Sequence, residues 1–262
     1  PWDHLVQNFD SDLANYSEPS EYPNRIDINY QSYFIKGKPS TSSAGAGDWM
    51  HSNTINYNPD LDQVAISVRS FDEFWIIDHS LSTEETMGSE GDLLYRWGNP
   101  FAYGQGDQIE DRQLFGQHDI QWIDSGLPGE GNMLIFNNQV DIGTDDEHSA
   151  VLELSTPAQP DGTYDWDQDT EIVWSYDDNG LFSFIVSGVQ RLPNGNTFIT
   201  EGFHGRLMEV TPDGEVAWEF VNPITKNGVI SQGESPNPEG IPIVERNFLF
   251  RVRKYSVDFP GF

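Results

Sequence analysis

The chain has no cysteine and few basic side chains. Its 262 residues include 43 acidic but only 13 basic side chains, which gives a formal net charge of −30. The missing cysteines exclude disulfides, a thiolate nucleophile and a cysteine-bound zinc. Such strong negative charge repels phosphate backbones and anionic membranes, so we expect no nucleic-acid partner. It would also slow an anionic substrate unless a local positive pocket offsets the field, and it is typical of a marine or halophilic source.

Long apolar runs are missing too. No segment approaches the roughly 18 apolar residues that cross a bilayer, so the sequence predicts no membrane span. Because the chain opens on Pro1 without a signal peptide, we expect a mature or trimmed chain. No stretch shows a sustained helical period, whereas strand-like alternation and turn residues recur at short intervals. The pattern predicts an all-β protein.

The alternating segments form three similar copies. Each copy has four strand-like segments, opens at residue 51, 118 or 187, and closes on a tryptophan, Trp97, Trp174 or Trp218. Three copies of a four-strand unit predict a β-propeller of four-stranded blades, with the closing tryptophans packed between blades. The blade-like repeats cover approximately residues 48–100, 117–178 and 185–223.

The remaining segments suggest an incomplete ring. We interpret residues 1–47 as the end of a preceding blade plus a connection, and residues 241–262 as a C-terminal closing strand. A propeller usually needs four to eight blades, so the chain reads as the C-terminal half to two-thirds of a single propeller domain. Exposed edge strands would then pair with a complementary chain that carries the missing N-terminal blades, or lead to self-assembly.

Four long polar insertions interrupt the repeats. Insertions of this length are often functional, and we expect them to cover one face and shape a site entrance. One insertion carries Asp141, Asp145 and Asp146, which are dense enough to bind calcium. Their spacing is not that of an EF-hand, so a solvated acidic loop is the alternative. The insertions are residues 79–91, 99–116, 138–149 and 155–169.

Five ordered motifs resemble the arylsulfotransferase family. They are residues 48–53 (DWMHSN), 91–100 (GDLLYRWGNP), 115–119 (FGQHD), 187–197 (SGVQRLPNGNT) and 209–215 (EVTPDGE). Single pieces recur in many propellers, but the ordered set is specific. The resemblance implies a six-bladed propeller and an exported enzyme, periplasmic or extracellular. Such an enzyme moves a sulfuryl group from a phenolic sulfate ester to another phenol through a histidine, without a nucleotide donor or a required cofactor.

His51 and His118 begin equivalent strands of neighbouring repeats, so we expect both to point into one axial mouth. His51 and His118 match the family's active-site histidines, and Asn53 lies on the same strand face as His51. His204 is a further candidate for the sulfuryl acceptor. Arg69 and Arg206 could bind sulfate oxygens, because a guanidinium matches paired oxyanion oxygens, although salt bridges are an alternative.

The chain departs from the family at one position. Near the start of the strand at residues 149–151, where the resemblance implies a sulfate-binding arginine, the chain has Glu147 and His148. Two other hypotheses therefore stay open. One is a non-catalytic extracellular propeller for binding or assembly. The other is a metal-dependent hydrolase or polysaccharide lyase with His51, His118 and His204 as ligands.

Overall fold

The computed structural model describes residues 4–7, 11–12, 16–30, 49–178, 180–234 and 246–261. All strand pairs but one within this part are antiparallel, and the only helices are single 3-10 turns of three or four residues. None of the described helices is long and apolar enough to cross a membrane. The 3-10 turns are Pro19–Glu21, Arg69–Phe71, Glu85–Met87, Ser89–Gly91, Pro100–Tyr103 and Gly202–His204.

The first blade follows a short parallel pair near the N-terminus. That pair consists of β1 (Leu5–Gln7) and β2 (Ile26–Asp27). The first blade is then formed by four consecutive antiparallel strands. In order they are β3 (Ser52–Asn58), β4 (Gln63–Val68), β5 (Glu73–Asp78) and β6 (Tyr95–Trp97).

The second and third blades repeat this meander. Blade 2 has β7 (His118–Trp122), β8 (Met133–Val140), β9 (His148–Ser155) and β10 (Glu171–Tyr176). Blade 3 has β11 (Gly188–Arg191), β12 (Thr197–Glu201), β13 (Arg206–Val210) and β14 (Val216–Val221). A two-stranded hairpin follows, with β15 (Ile224–Thr225) and β16 (Gly228–Val229).

The blades pack face to face through hydrophobic cores. In β8, successive side chains point to opposite faces of the sheet, as the pleat requires. Met133 and Ile135 join the core shared with blade 1, whereas Leu134 and Phe136 join the core shared with blade 3. The first strands β3, β7 and β11 contact one another in turn. The chain is therefore an all-β protein with propeller blades, as its sequence predicts.

The closing tryptophans differ in burial. Trp97 and Trp174 pack against the two cores between blades, and Trp174 also donates its indole N–H to the Pro212 carbonyl of blade 3 at 2.9 Å. Trp218 differs from the prediction, because its side chain is 44% exposed on β14 and contacts Phe198 of its own blade. The outer strand β14 is exposed along its whole length.

The four insertions do not cover one face, contrary to our expectation. Alternating strand directions send the insertions at 99–116 and 138–149 to the end where β3 and β7 begin. The insertions at 79–91 and 155–169 lie at the opposite end, because each follows a strand that starts near the beginnings of β3 and β7 and runs away from them. The 155–169 insertion packs onto blade 1, where the Gln63 side chain donates to the Gly162 carbonyl at 2.6 Å.

The C-terminal segment also differs from its prediction. Residues 246–261 contain no strand, although they lie along blade 3. Backbone bonds run from the Ser187 N–H to the Phe250 carbonyl and from the Leu249 N–H to the Gly202 carbonyl. The Val252 N–H instead donates to the hydroxyl of Thr200, so no continuous ladder forms. Much of the predicted preceding blade, including residues 31–48, lies outside the described residues, as do residues 235–245.

Candidate active site

Two predicted histidines and one predicted arginine meet at one end of the blades. His51 precedes β3, His118 opens β7 and Arg69 follows β4. The backbone bond from the Ser70 N–H to the Met50 carbonyl, 3.1 Å long, holds the 3-10 turn beside the entry to β3. Arg69 and His51 both lie close enough to His118 to depress its pKa by charge. We call these three residues the axial cluster.

His118 is buried and both of its ring nitrogens are engaged. The Nδ1–H group faces the Asn138 Oδ1 at 2.8 Å and the Gly116 carbonyl at 3.1 Å. The Val186 N–H donates to Nε2 at 3.2 Å, which fixes the neutral tautomer with its proton on Nδ1. Burial lowers the pKa of His118 to about 3; the bond to Asn138 opposes this and the Arg69 charge adds to it.

The segment before β11 supplies the donor to His118. Val186 has φ 57° and Ser187 has φ 90°, although neither is a glycine. A β-branched residue at positive φ is strained, and such strain needs firm support from its surroundings. The Asn138 amide gives that support, because it donates to the carbonyls of Ser183 and Val186 at 2.6 and 2.9 Å. Sequence reasoning missed Asn138, which no motif marks.

Asn53 links blade 1 to the start of blade 2. Its amide donates to the Gln117 carbonyl at 2.8 Å, and the neighbouring Thr54 hydroxyl accepts from the Asp119 N–H at 3.0 Å. These bonds join β3 of blade 1 to the start of β7, and so hold His118 in place. In this arrangement the Asn53 amide is engaged with the backbone.

The C-terminal segment adds positive charge beside the axial cluster. The Phe250 ring lies edge-on to His118, with ring centroids 6.4 Å apart. The buried Asp119 carboxylate binds two guanidiniums through Oδ1, from Arg251 at 2.5 Å and from Arg253 at 2.9 Å. One carboxylate between two guanidiniums leaves a net positive charge. The sequence separates these partners by more than 130 residues, so no local motif could reveal them.

His204 and Arg206 belong to another cluster, centred on Glu201. The His204 Nδ1 lies 2.6 Å from Oε1 of Glu201, and Arg206 Nη1 lies 3.4 Å from Oε2. Glu201 is 1% exposed, whereas the His204 side chain is 37% exposed. A carboxylate on Nδ1 orients the ring so that Nε2 points away from it, an arrangement known from catalytic imidazoles.

The acidic loop and His148 provide less support for a binding site than the two clusters above. Among the described residues, no three histidine, aspartate or glutamate side chains are placed to hold a metal ion. The three-histidine metal site therefore finds no support, and calcium binding by Asp141, Asp145 and Asp146 stays a prediction. His148, at the position where an arginine was expected, is half-buried, and its Nδ1 lies 2.7 Å from the Asp146 carbonyl.

Solved structures resemble this chain only distantly. A protein of unknown function from Bacteroides caccae is 11% identical with a TM-score of 0.37, and 65% of this chain matches 45% of it. Virginiamycin B lyase from Staphylococcus aureus is 11% identical with a TM-score of 0.38, covering 74% of this chain and 48% of the lyase. A β-propeller domain, Cps50 (Swd1) of Myceliophteria thermophila, is 10% identical with a TM-score of 0.39, covering 66% and 41%. The chain spans less than half of each, and the scores are too low to carry an argument.

The sequence itself gives a firmer result. No curated protein matches the chain. The sequence model of the arylsulfotransferase (ASST) family, however, matches residues 19–230. This range covers most of the chain, including all three blades and the axial cluster. The resemblance of the five motifs is confirmed, and the chain belongs to the arylsulfotransferase family.

Proposed function

We propose that the axial cluster transfers a sulfuryl group from a phenolic sulfate ester to an acceptor phenol through a histidine intermediate. Membership of the arylsulfotransferase family supports this kind of activity in general. The observation that carries the proposal is the meeting of His51, Arg69 and His118 at one end of the inner strands.

The first half-reaction forms a nitrogen–sulfur bond and breaks the sulfur–oxygen bond to the aryl group. The imidazole lone pair attacks sulfur, and the aryl oxide leaves with the electron pair and takes up a proton from water. His51 is exposed whereas His118 is buried, so His51 is the nucleophile that we propose. With a pKa of about 3, His118 is neutral at ordinary pH and is not the acid that protonates the leaving oxygen.

The second half-reaction restores the histidine. The oxygen of the acceptor phenol attacks sulfur, the nitrogen–sulfur bond breaks, and the phenolic proton is released. No electron acceptor or nucleotide enters this balance. His118 can take part as a nucleophile only after its Nε2 separates from the Val186 N–H.

The charge around the site suits an anionic ester. Arg69 lies beside His118, and Arg251 and Arg253 share the single carboxylate of Asp119. These guanidiniums provide a local positive field in a chain of net charge −30. Preorganised cations at developing negative charge are a large source of rate enhancement. They provide the local positive charge that an anionic substrate needs here.

Intact mass spectrometry after brief incubation with 4-nitrophenyl sulfate tests the proposal, with the released 4-nitrophenol measured in parallel. We expect a mass gain of one sulfuryl group and a burst of phenol. Peptide mapping should place the group on His51. A His51→Ala variant should lose both signals, whereas His79→Ala, an exposed histidine at the other end of blade 1, should keep them. A folded wild-type protein with neither mass gain nor phenol release would refute it.

A second candidate function is a non-catalytic binding propeller. It is favoured by the engagement of both His118 nitrogens and by His148 at the expected arginine position. The same experiment separates the two, because a binding propeller would retain aryl sulfate without cleaving it. Isothermal titration with an aryl sulfonate, which lacks the cleavable ester oxygen, would then still show binding.

We also propose a periplasmic or extracellular location, and pairing with a chain that supplies further blades. The support is family membership, the acidic composition, and the exposed outer strand β14. Size-exclusion chromatography with light scattering tests the pairing. A concentration-independent monomer would contradict self-assembly.

A further inference from the structure

A cleft separate from the axial cluster lies between the outer parts of blades 1 and 2. Its volume is about 870 Å³, which falls in the range of small-molecule sites. One wall comes from β6 and the turn that follows it, and the other from the end of the 155–169 insertion. Its lining includes four aromatic residues, Tyr95, Trp97, Tyr103 and Trp166.

The aromatic walls are held in fixed positions. Tyr95 stacks on Tyr164 with ring centroids 5.1 Å apart, and Trp166 lies at 5.5 Å from Tyr95 with its plane inclined by 60°. The Tyr95 hydroxyl and the Thr170 hydroxyl are 2.8 Å apart. Trp166 is nevertheless 40% exposed, so part of its ring is available to a ligand.

The cleft is negatively charged. Asp167 and Asp169 line it and are exposed, and no described cation forms an ion pair with either carboxylate. The only arginine in the lining, Arg96, is fully buried and forms an ion pair of 2.5 Å with the equally buried Glu73. Its positive charge is therefore neutralised within blade 1.

Two features describe how charge acts on the aromatic wall. The guanidinium of Arg96 already lies over the Tyr103 ring, 4.6 Å from its centroid, as cation–π contacts do. Burial raises the pKa of the Tyr95 hydroxyl, the Thr170 hydrogen bond opposes this, and the charge of Asp169 raises it further. The field of Asp169 therefore reaches the aromatic wall.

We propose that this cleft binds a small organic cation, a primary or quaternary ammonium, between the ring of Trp166 and the carboxylates of Asp167 and Asp169. Aromatic faces and carboxylates together favour an ammonium group over an anion or a neutral molecule. The proposal is independent of sulfuryl transfer, because none of these residues belongs to the axial cluster.

The test is isothermal titration with choline, compared with its uncharged isostere 3,3-dimethyl-1-butanol, at low ionic strength. We expect saturable binding of choline at one site and no saturable binding of the isostere. Trp166→Ala should weaken choline binding about tenfold, the value of a partly desolvated cation–π contact. Asp169→Asn should weaken it about threefold, and added salt should reduce that difference.

Matched variants separate this site from general attraction to an acidic surface. Trp218→Ala removes a comparably exposed tryptophan from blade 3, and Asp145→Asn removes an acidic side chain from the 138–149 insertion. Neither should change choline binding. Equal losses in control and cleft variants, equal binding of the isostere, or binding of a neutral oligosaccharide in place of choline would overturn the proposal.

Discussion

Two histidines at the same end of the propeller lie in opposite environments. His118 opens an inner strand, is 4% exposed, and has hydrogen-bond partners on both ring nitrogens. His204 ends a 3-10 turn between the second and third strands of blade 3, and its side chain is 37% exposed. A buried carboxylate, Glu201, contacts only its Nδ1 side. The same residue type is thus fixed as a neutral core group in one place and presented to solvent in the other.

The difference shows that position at a strand start does not decide chemical availability. Three features make His118 a structural centre: the strained Val186, the Asn138 amide, and the Phe250 ring of the C-terminal segment. His204 contacts the Glu201 carboxylate and the ring of the neighbouring Phe203. Changes at His118 should therefore act mainly on stability and its pH dependence, whereas changes at His204 should have little effect on stability.

Removing the two rings should separate the sites most clearly. His118→Ala leaves a cavity and strips a partner from both Asn138 and the Val186 N–H, so we expect a loss of about 3 kcal/mol in the free energy of unfolding. His204→Ala removes a half-exposed ring and should cost less than about 1 kcal/mol. Urea denaturation measures both. Similar losses of unfolding free energy for the two variants would show that His118 stabilises the fold no more than His204 does.

The acid sensitivity of His118 gives the next largest effect. Its folded pKa of about 3 lies below the unfolded value, so the unfolded state binds the proton first as the pH falls. The stability that neutral His118 contributes is complete above about pH 6.5. It is lost as the pH falls from there to about pH 3, with about 2 kcal/mol of the free energy of unfolding lost at pH 5.

A His118→Gln variant, which can keep both hydrogen bonds, should lack that loss, as measured by urea denaturation at several pH values. Burial raises the pKa of Asp72 and Glu73, so these two carboxyls make the folded state more stable as the pH falls. This effect is common to both proteins. It therefore cancels in the difference between their curves. Parallel curves for wild type and His118→Gln would show that His118 does not titrate as expected.

Labelling with diethyl pyrocarbonate should rank the histidines by exposure. His204 should react on the order of tenfold faster than His118, because labelling of His118 must first break at least one hydrogen bond and open the core. Peptide mapping at short times measures the ratio. Equal rates would mean that the His118 site opens freely.

The sequence was sufficient for the repeats and for the proximity of His51 and His118. Alternation, turn residues and the ordered motifs predicted four-stranded blades, and equivalent strand starts placed His51 and His118 together. Local patterns carry this information, because each blade is one antiparallel meander. The same equivalence could not show that His118 would be buried, since its burial comes from Val186 and Phe250, which are distant in sequence.

The two failures have different physical causes. The insertions at 79–91 and 155–169 were expected on the site face, but strand direction, and not loop composition, decides the end from which a loop leaves. The C-terminal segment has strand-like composition, yet its arginines bind Asp119, more than 130 residues away, and its backbone forms no continuous ladder because the Val252 N–H donates to the Thr200 hydroxyl. Pairings across more than 100 residues are tertiary choices that local propensity does not encode.

The smallest expected effect concerns Arg206, which sequence reasoning placed among the sulfate-binding residues. It lies 3.0 Å from Glu219 and 3.4 Å from Glu201, and its side chain is 26% exposed. Partly exposed ion pairs contribute little, so Arg206→Gln should change the free energy of unfolding by less than about 1 kcal/mol. Phenol release should stay unchanged if the axial cluster alone binds sulfate, and an Arg69→Gln variant should lose it. An equal loss of phenol release in both variants would place the Glu201 cluster, with His204, at the reacting centre.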